Sequence, residues 1–276
     1  MIYSKIKKHL SITLNRLNQT RVLKLMNTQQ HPTLNNIVDA FLETKHVLHT
    51  EKDLQLFQDC ENYRTQLLTN KNLISYDVFG SSLKNPVYSI CEKASSKPIW
   101  GQFLYKLIKN NNSKNVLEMG TNLGVSGSYI LNALKDTANS HFISMEGVPD
   151  LCNIASQQFN SINPKTQHSI IQGLYDKTFA ELYKKKIKFN LCFIDGNHQK
   201  DPTIDYFQNL KSRLDLPAIM IFDDINWSND MRSAWEIIKS DQDVCYSIDL
   251  FKWGIIIIDN SVSDRNIHFN LHLSYS

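Results

Sequence analysis

From Ile99 onward, short apolar runs alternate with stretches in which apolar residues recur every three or four positions. The apolar runs at 115–118, 141–145, 169–171, 189–194 and 218–222 read as buried strands. The segments near 101–109, 126–134, 150–159, 176–185, 203–214 and 229–240 read as helices. A strand followed by a helical crossover and another strand gives parallel pairing, with helices on both faces of the sheet. The ending breaks this rhythm. Runs 244–250 and 253–259 are joined by a turn too short for a helical crossover, so they must pair antiparallel. The expected fold is α/β, a doubly wound seven-stranded sheet whose last strand is antiparallel, with a helical appendage at the N-terminus.

The first hundred residues follow a different pattern. Ile2, Ile6, Leu10, Leu14 and Leu17 recur at helical spacing, interleaved with Lys5, Lys7, Lys8 and Arg16, and no acid occurs before Asp39. This reads as a basic amphipathic helix. Packing on its own domain or across a homodimer is the expected role; contact with an anionic membrane is the weaker alternative, because no lipidation signal accompanies it. His31-Pro32 breaks the helix, residues 34–68 read as one or two more, and 76–98 read as a connecting and capping segment. Two domains are expected: a helical cap or dimerisation segment over 1–98 and an α/β domain over 99–276.

Composition narrows the class. At 42% hydrophobic and 21% charged, the chain has material for a full core. A formal net charge of +3, with no aromatic-basic stripe, gives no reason to expect nucleic acid. The five cysteines are widely spaced without a C-x-x-C pair, which fits reduced thiols better than disulfides or a zinc site. No apolar run approaches the ~20 residues of a membrane span. A cytoplasmic location is the expectation.

Three of the nine glycines fall between Gly120 and Gly127, where the strand Val116-Leu117-Glu118-Met119 runs into a turn and then a helix. A dinucleotide fingerprint, G-x-G-x-x-G, would need glycines where Asn122 and Val125 stand. The chain instead reads Glu118-x-Gly120-x-x-x-Gly124. A strand-end carboxylate would repel a pyrophosphate but suits a cationic, amino-acid-bearing ligand such as S-adenosylmethionine. Glu118, Gly120, Thr121, Asn122, Gly124 and Ser126 are therefore candidate cofactor contacts. The acid closing the second strand, Glu146, followed by Gly147, is placed to hold a ribose diol.

Acids close other strands too: Asp195 ends the fourth, and Asp223-Asp224 the fifth. Several carboxylates at the ligand-binding edge of an α/β sheet would repel one another unless neutralised. Asp195, Asp223 and Asp224 are thus candidate oxygen ligands for Mg²⁺ or another divalent cation. Asp195-Gly196-Asn197-His198 brings an imidazole back over the edge, where His198 would serve as general base beside a metal-held hydroxyl. The plainer alternative is that His198 caps the following turn and Asp224 caps the last helix. Trp100 and Trp227 are candidates to flank a planar acceptor, or simply pack.

With these residues in view, 101–259 resembles the class I S-adenosylmethionine-dependent methyltransferases, Rossmann-like enzymes. Within them it is similar to small-molecule O-methyltransferases related to catechol O-methyltransferase. Gly101-Gln102 looks like the opening of that family's cofactor domain, 117–126 like its first motif, and Glu146 like its ribose-binding acid. The resemblance puts Asp195, Asp223 and Asp224 on its metal ligands, with Asp224 where the family has Asn. His198 lies where the family has a catalytic lysine, a form closer to bacterial Asp-Gly-x-His methyltransferases.

What the residues and the resemblance together imply is methyl transfer from S-adenosylmethionine to a small molecule, at oxygen, assisted by a divalent metal. The nearest alternative is a metal-independent enzyme of the same fold methylating nitrogen or a protein. An inactive cofactor-binding interaction protein is the alternative from another class.

Overall fold

The computed structural model describes residues 2–162 and 167–274, with side chains from Ile12 onward. The chain divides into two compact units, Met1–Asp39 with Phe189–Ser276, and Ala40–Lys188. Helix α1 (Ile2–Thr28) belongs to the first, α2 (Pro32–Lys45) begins there, and α3 (Glu51–Thr69) lies in the second.

In the unit Ala40–Lys188, segment 76–98 is more structured than the sequence implies. Strands β1 (Leu73–Ser75) and β2 (Lys84–Pro86) form a short antiparallel hairpin, followed by α4 (Val87–Ala94). Of the turn-prone residues in this segment, Gly80-Ser81-Ser82 lie in the hairpin loop, whereas Asn85-Pro86 lie within β2. Then come α5 (Pro98–Asn110), β3 (Asn115–Met119), α6 (Val125–Leu134), β4 (His141–Glu146), α7 (Pro149–Ile162), β5 (Gln167–Gln172) and α8 (Tyr175–Lys184). Strands β3, β4 and β5 lie side by side and parallel, as helical crossovers require.

Packing in this unit also explains two sequence features. Gly101 on α5 has no side chain because the Tyr129 ring of α6 occupies the place its Cβ would take. Asp53, in a capping box with Thr50 at the start of α3, accepts Tyr105 Oη at 2.7 Å and Lys106 Nζ at 2.9 Å, while Lys106 also reaches Glu43 at 2.7 Å. One buried lysine thereby ties the ends of three helices.

In the other unit, β6 (Phe189–Ile194), α9 (Lys200–Lys211), β7 (Leu214–Phe222), α10 (Asn229–Lys239), β8 (Val244–Asp249), β9 (Gly254–Ile258) and β10 (Ile267–Asn270) follow in sequence. Their order in the sheet is β10-β8-β9-β7-β6. Strand β6 runs parallel to β7, and β9 runs antiparallel to both β7 and β8. The short turn between β8 and β9 forces that reversal, as expected. Periodicity missed β10: it is only four residues long and half exposed, yet it pairs parallel with β8. The two parallel-dominated stretches therefore hold three and five strands, one more than the seven expected.

Strand β10 packs against part of α1. The helix exists over Ile2–Thr28, but Leu14 and Leu17 face solvent at 53% and 76% exposure. Its buried line runs through Ile12 and Met26, and Gln19 Oε1 accepts the backbone N–H of His272 just beyond β10 at 3.2 Å. The side chains of Ile2, Lys5, Ile6, Lys7, Lys8 and Leu10 lie outside the described residues. All five cysteines are free and buried. Among the described residues, no helix is long and apolar enough to cross a membrane.

Candidate active site

The register of β3 against β4 builds the first cluster. Met119 pairs with Met145, so the turn after β3 and the tip of β4 are neighbours, and Gly120 N donates to Met145 O at 2.9 Å. The chain then turns through left-handed conformations at Gly120 (φ 99°), Asn122 (φ 48°) and Gly124 (φ 77°). Asn is the residue that tolerates this region best after Gly, which is how the turn manages with Asn122. Glu146 Oε2 accepts the N–H of Asn122 at 2.8 Å, and Oε1 accepts that of Val148 at 2.9 Å. Burial pushes the Glu146 carboxyl up from its ordinary value, while the N–H groups of Val148, Asn122 and Gly147 pull it back. A Cβ on Gly147 would meet the Phe79 ring at 3.1 Å, so glycine here lets the hairpin loop approach the strand tip.

Glu118 is turned inward. It is fully buried and accepts Ser126 Oγ and Ser144 Oγ at 2.6 Å each, and Thr121 Oγ1 bonds Ser144 Oγ at 2.5 Å. Ser144 stands opposite Glu118 in the β3–β4 register. Three expected cofactor contacts, Glu118, Thr121 and Ser126, thus form a buried network that fixes the turn from beneath. Ser144 was missed because nothing in a strand sequence marks a hydroxyl that faces a carboxylate on the neighbouring strand. What the turn presents outward is the N-terminus of α6, where Gly124 is the cap and no side chain among the described residues caps the helix. An uncapped helix start beside a strand-tip carboxylate fits a ligand bearing its own carboxylate and a ribose diol.

In the unit Met1–Asp39 with Phe189–Ser276, the register of β6 against β7 does the same work. Ile194 pairs with Phe222, and Asp223 N donates to Ile194 O at 2.9 Å, so Asp195 and Asp223 leave the sheet side by side. The β6 turn is left-handed at Asn197 (φ 65°) and His198 (φ 33°) rather than at Gly196, and Asp224 is left-handed too (φ 52°). Non-glycine residues held there persist where the surroundings demand it, a pattern common at functional sites. His198 Nε2 lies 3.4 Å from Asp195 Oδ1. Burial lowers the imidazole pKa, but Asp195 in contact, with Asp223 and Asp224 beyond, holds it above the ordinary value.

Neither His198 nor Asp224 occupies the N-cap of the helix that follows it. Ser228 caps α10, accepting Met231 N at 3.1 Å, and α9 takes Gln199 as its N-cap. Helix capping therefore explains neither Asp224 nor His198. Trp227 is 73% exposed beyond Asp224, whereas Trp100 is fully buried in α5.

Lys252 lies in no motif and carries no local signal in the sequence. Because β9 is antiparallel to β7, with Phe222 opposite Gly254, the turn before β9 arrives at the same edge as Asp223. Lys252 Nζ lies 2.6 and 2.8 Å from the two Asp223 oxygens and 2.9 Å from Asp224 Oδ1. Burial opposes the charge on Lys252, yet Asp223 and Asp224 hold its pKa above the usual value. Burial, with Asp195 beside it, pushes the Asp223 carboxyl up, and Lys252 draws it down. The resemblance implies a divalent ion on Asp195, Asp223 and Asp224. Two of these three carboxylates already face an ammonium, and among the described residues no three His, Cys, Asp or Glu side chains are grouped to hold a metal. The set as arranged does not fit a divalent ion.

Residues 117–225 match the family model described as a methyltransferase domain. A catechol O-methyltransferase of Niastella koreensis is 26% identical over 171 residues, spanning 62% of this chain and 73% of the relative. The O-methyltransferase from Bacillus cereus in complex with S-adenosylhomocysteine aligns with a TM-score of 0.54 at 17% identity, covering 80% of this chain and 97% of that one. The O-methyltransferase TomG from Streptomyces achromogenes, involved in tomaymycin synthesis and solved with S-adenosylmethionine, gives 0.52 at 15% identity, with 60% and 82% covered. At such identities the solved structures establish the fold.

Proposed function

We propose that this chain, whose residues 117–225 match a methyltransferase domain, is a class I S-adenosylmethionine-dependent methyltransferase that methylates a hydroxyl of a small, planar acceptor. The observation carrying this reading is the His198–Asp195 pair, 3.4 Å apart at the end of β6, with neither residue needed as a helix cap. When bound, S-adenosylmethionine supplies an electrophilic methyl group on a sulfonium. Glu146 and the turn from Gly120 to Gly124 would hold the cofactor, Glu146 accepting from the ribose hydroxyls and the α6 N-terminus receiving the carboxylate.

On the acceptor side, Asp195 orients the His198 ring through Nε2, which leaves Nδ1 to take the hydroxyl proton. The deprotonated acceptor oxygen would take the methyl group that the cofactor supplies, the sulfur leaving as a neutral thioether. Proton removal and alignment are all the protein has to provide, since the leaving group departs neutral. Trp227, an exposed indole three residues past Asp224, favours a flat acceptor. The relative named catechol O-methyltransferase points the same way. We place the enzyme in the cytoplasm as a homodimer, with residues 1–98 as a cap or dimerisation segment and without nucleic acid or membrane as partner.

The test is transfer of a radiolabelled methyl group to three acceptor sets: small phenols and catechols, small amines, and peptides. Labelling of the hydroxylated set alone, lost in His198→Ala, is the expected result. Labelling of amines or peptides instead would overturn the reading.

A further inference from the structure

We propose that Lys252 is the resident cation of the Asp223–Asp224 pair and takes the place a divalent metal would need, so that this protein works without a metal at that edge. The inference takes from the methyltransferase reading only what the cluster is for; the contact itself is independent of it.

Three observations carry it. Lys252 Nζ meets three carboxylate oxygens within 2.9 Å, both of Asp223 and one of Asp224. The lysine is delivered rather than dangling: Ile225 N donates to Lys252 O at 3.0 Å, and Asn226 Nδ2 donates to Phe251 O at 2.6 Å. These bonds latch the β8–β9 turn to the loop that carries both acids. Finally, the third acid has its own partner, since Asp195 is the carboxylate that faces His198.

The alternative, a divalent ion among the same acids, meets a charge problem. Mg²⁺ needs near-octahedral oxygen ligands at ~2.0–2.1 Å. An ion bound to Asp223 would stand beside an ammonium already spanning both its oxygens, and like charges at that separation repel strongly. Asp223 is only 4% exposed, so the displaced ammonium would leave a buried carboxylate to be compensated by the ion alone. Activation of the acceptor then falls to His198, and Lys252 is a positioning residue that fixes the acids around it.

The experiment titrates the wild-type protein with Mn²⁺, following free Mn²⁺ by electron paramagnetic resonance, and measures Tm for Lys252→Met and Lys252→Arg. S-adenosylhomocysteine binding is measured by calorimetry on every sample. Expected are no saturable Mn²⁺ site in the wild type up to about 1 mM, the weak end of protein sites for such ions. Tm should fall by roughly 5–15 °C in Lys252→Met, the scale for unpairing a largely buried carboxylate in a chain of this size, with most of it kept in Lys252→Arg. One Mn²⁺ per wild-type chain, lost in Asp223→Asn, would overturn the inference. So would a Lys252→Met protein with unchanged Tm. If Lys252→Met fails to fold, the wild-type titration and the Lys252→Arg variant still decide. Failure of the methyltransferase reading would show separately, as no binding of S-adenosylhomocysteine whatever Mn²⁺ does.

Discussion

Glu146 Oε2 accepts the backbone N–H of Asn122 at 2.8 Å, tying the tip of β4 to the turn that follows β3. The same carboxylate is the group proposed to receive the ribose. Glu146→Ala should therefore weaken S-adenosylhomocysteine binding by about 1–3 kcal/mol, the scale of a charge-assisted hydrogen bond lost at a buried site. Calorimetry on the variant reads this directly. Affinity within a factor of two of wild type would remove Glu146 from the cofactor site.

For His198, the sign of the pH dependence follows from its partners. Burial lowers the imidazole pKa, and the contact with Asp195, aided by Asp223 and Asp224, more than reverses that. Only the neutral ring accepts a proton, so turnover should rise with pH through an inflection above the ordinary ~6.5. Asp195→Asn removes the main raising charge and should move the inflection down. His198→Ala should lower turnover roughly 10²–10⁴-fold with cofactor affinity little changed. A flat profile between about pH 5 and 8 would leave the ring without a role in proton transfer.

Helix α6 packs so closely against Phe159 of α7 that Gly127 has no free space for a side chain. A Cβ there would fall on the Phe159 ring and come within 3.3 Å of Glu118 Oε2. Gly127→Ala should destabilise the protein by about 1–3 kcal/mol, because a well-packed ring must leave its rotamer. Chemical denaturation measures it. The better helix propensity of alanine, worth up to ~1 kcal/mol, would show through only if Phe159 moves freely.

Asp53 supplies an acid-stability prediction. Burial favours its neutral form, but the bonds from Lys106, Tyr105 and Thr50 win and hold its pKa down, to about 2 from 3.8. A carboxylate whose folded pKa is depressed stabilises the native state above the unfolded value and loses that contribution as pH falls through the folded one. Its share is roughly 2 kcal/mol, present above about pH 4 and fading toward pH 2. Asp53→Asn should be less stable at neutral pH and should show a shallower loss of stability over that acid range. Parallel acid slopes for variant and wild type in urea titrations would contradict this.

The order of strands and helices from Ile99 onward was legible in the sequence because an apolar run and a 3.6-residue period directly state which residues are buried. So were the strand-end acids Glu146, Asp195 and Asp223 and the glycine-punctuated turn, since each is a local event at a strand end. Periodicity does not say which partner buries a face. The apolar row through Leu14 and Leu17 on α1 marks a helix with an apolar face, but the residues it buries against its own chain, beside β10, are Ile12 and Met26. Nor does it give register. Whether Glu118 faces a ligand or Ser144 depends on which residue of β4 stands opposite it. Lys252 joins acids 28 and 29 residues earlier only because β9 reverses direction beside β7. Local sequence set the elements and the chemistry at their ends. Pairing over long separations, fixed by the burial of whole faces at once, decided which of those chemical groups meet.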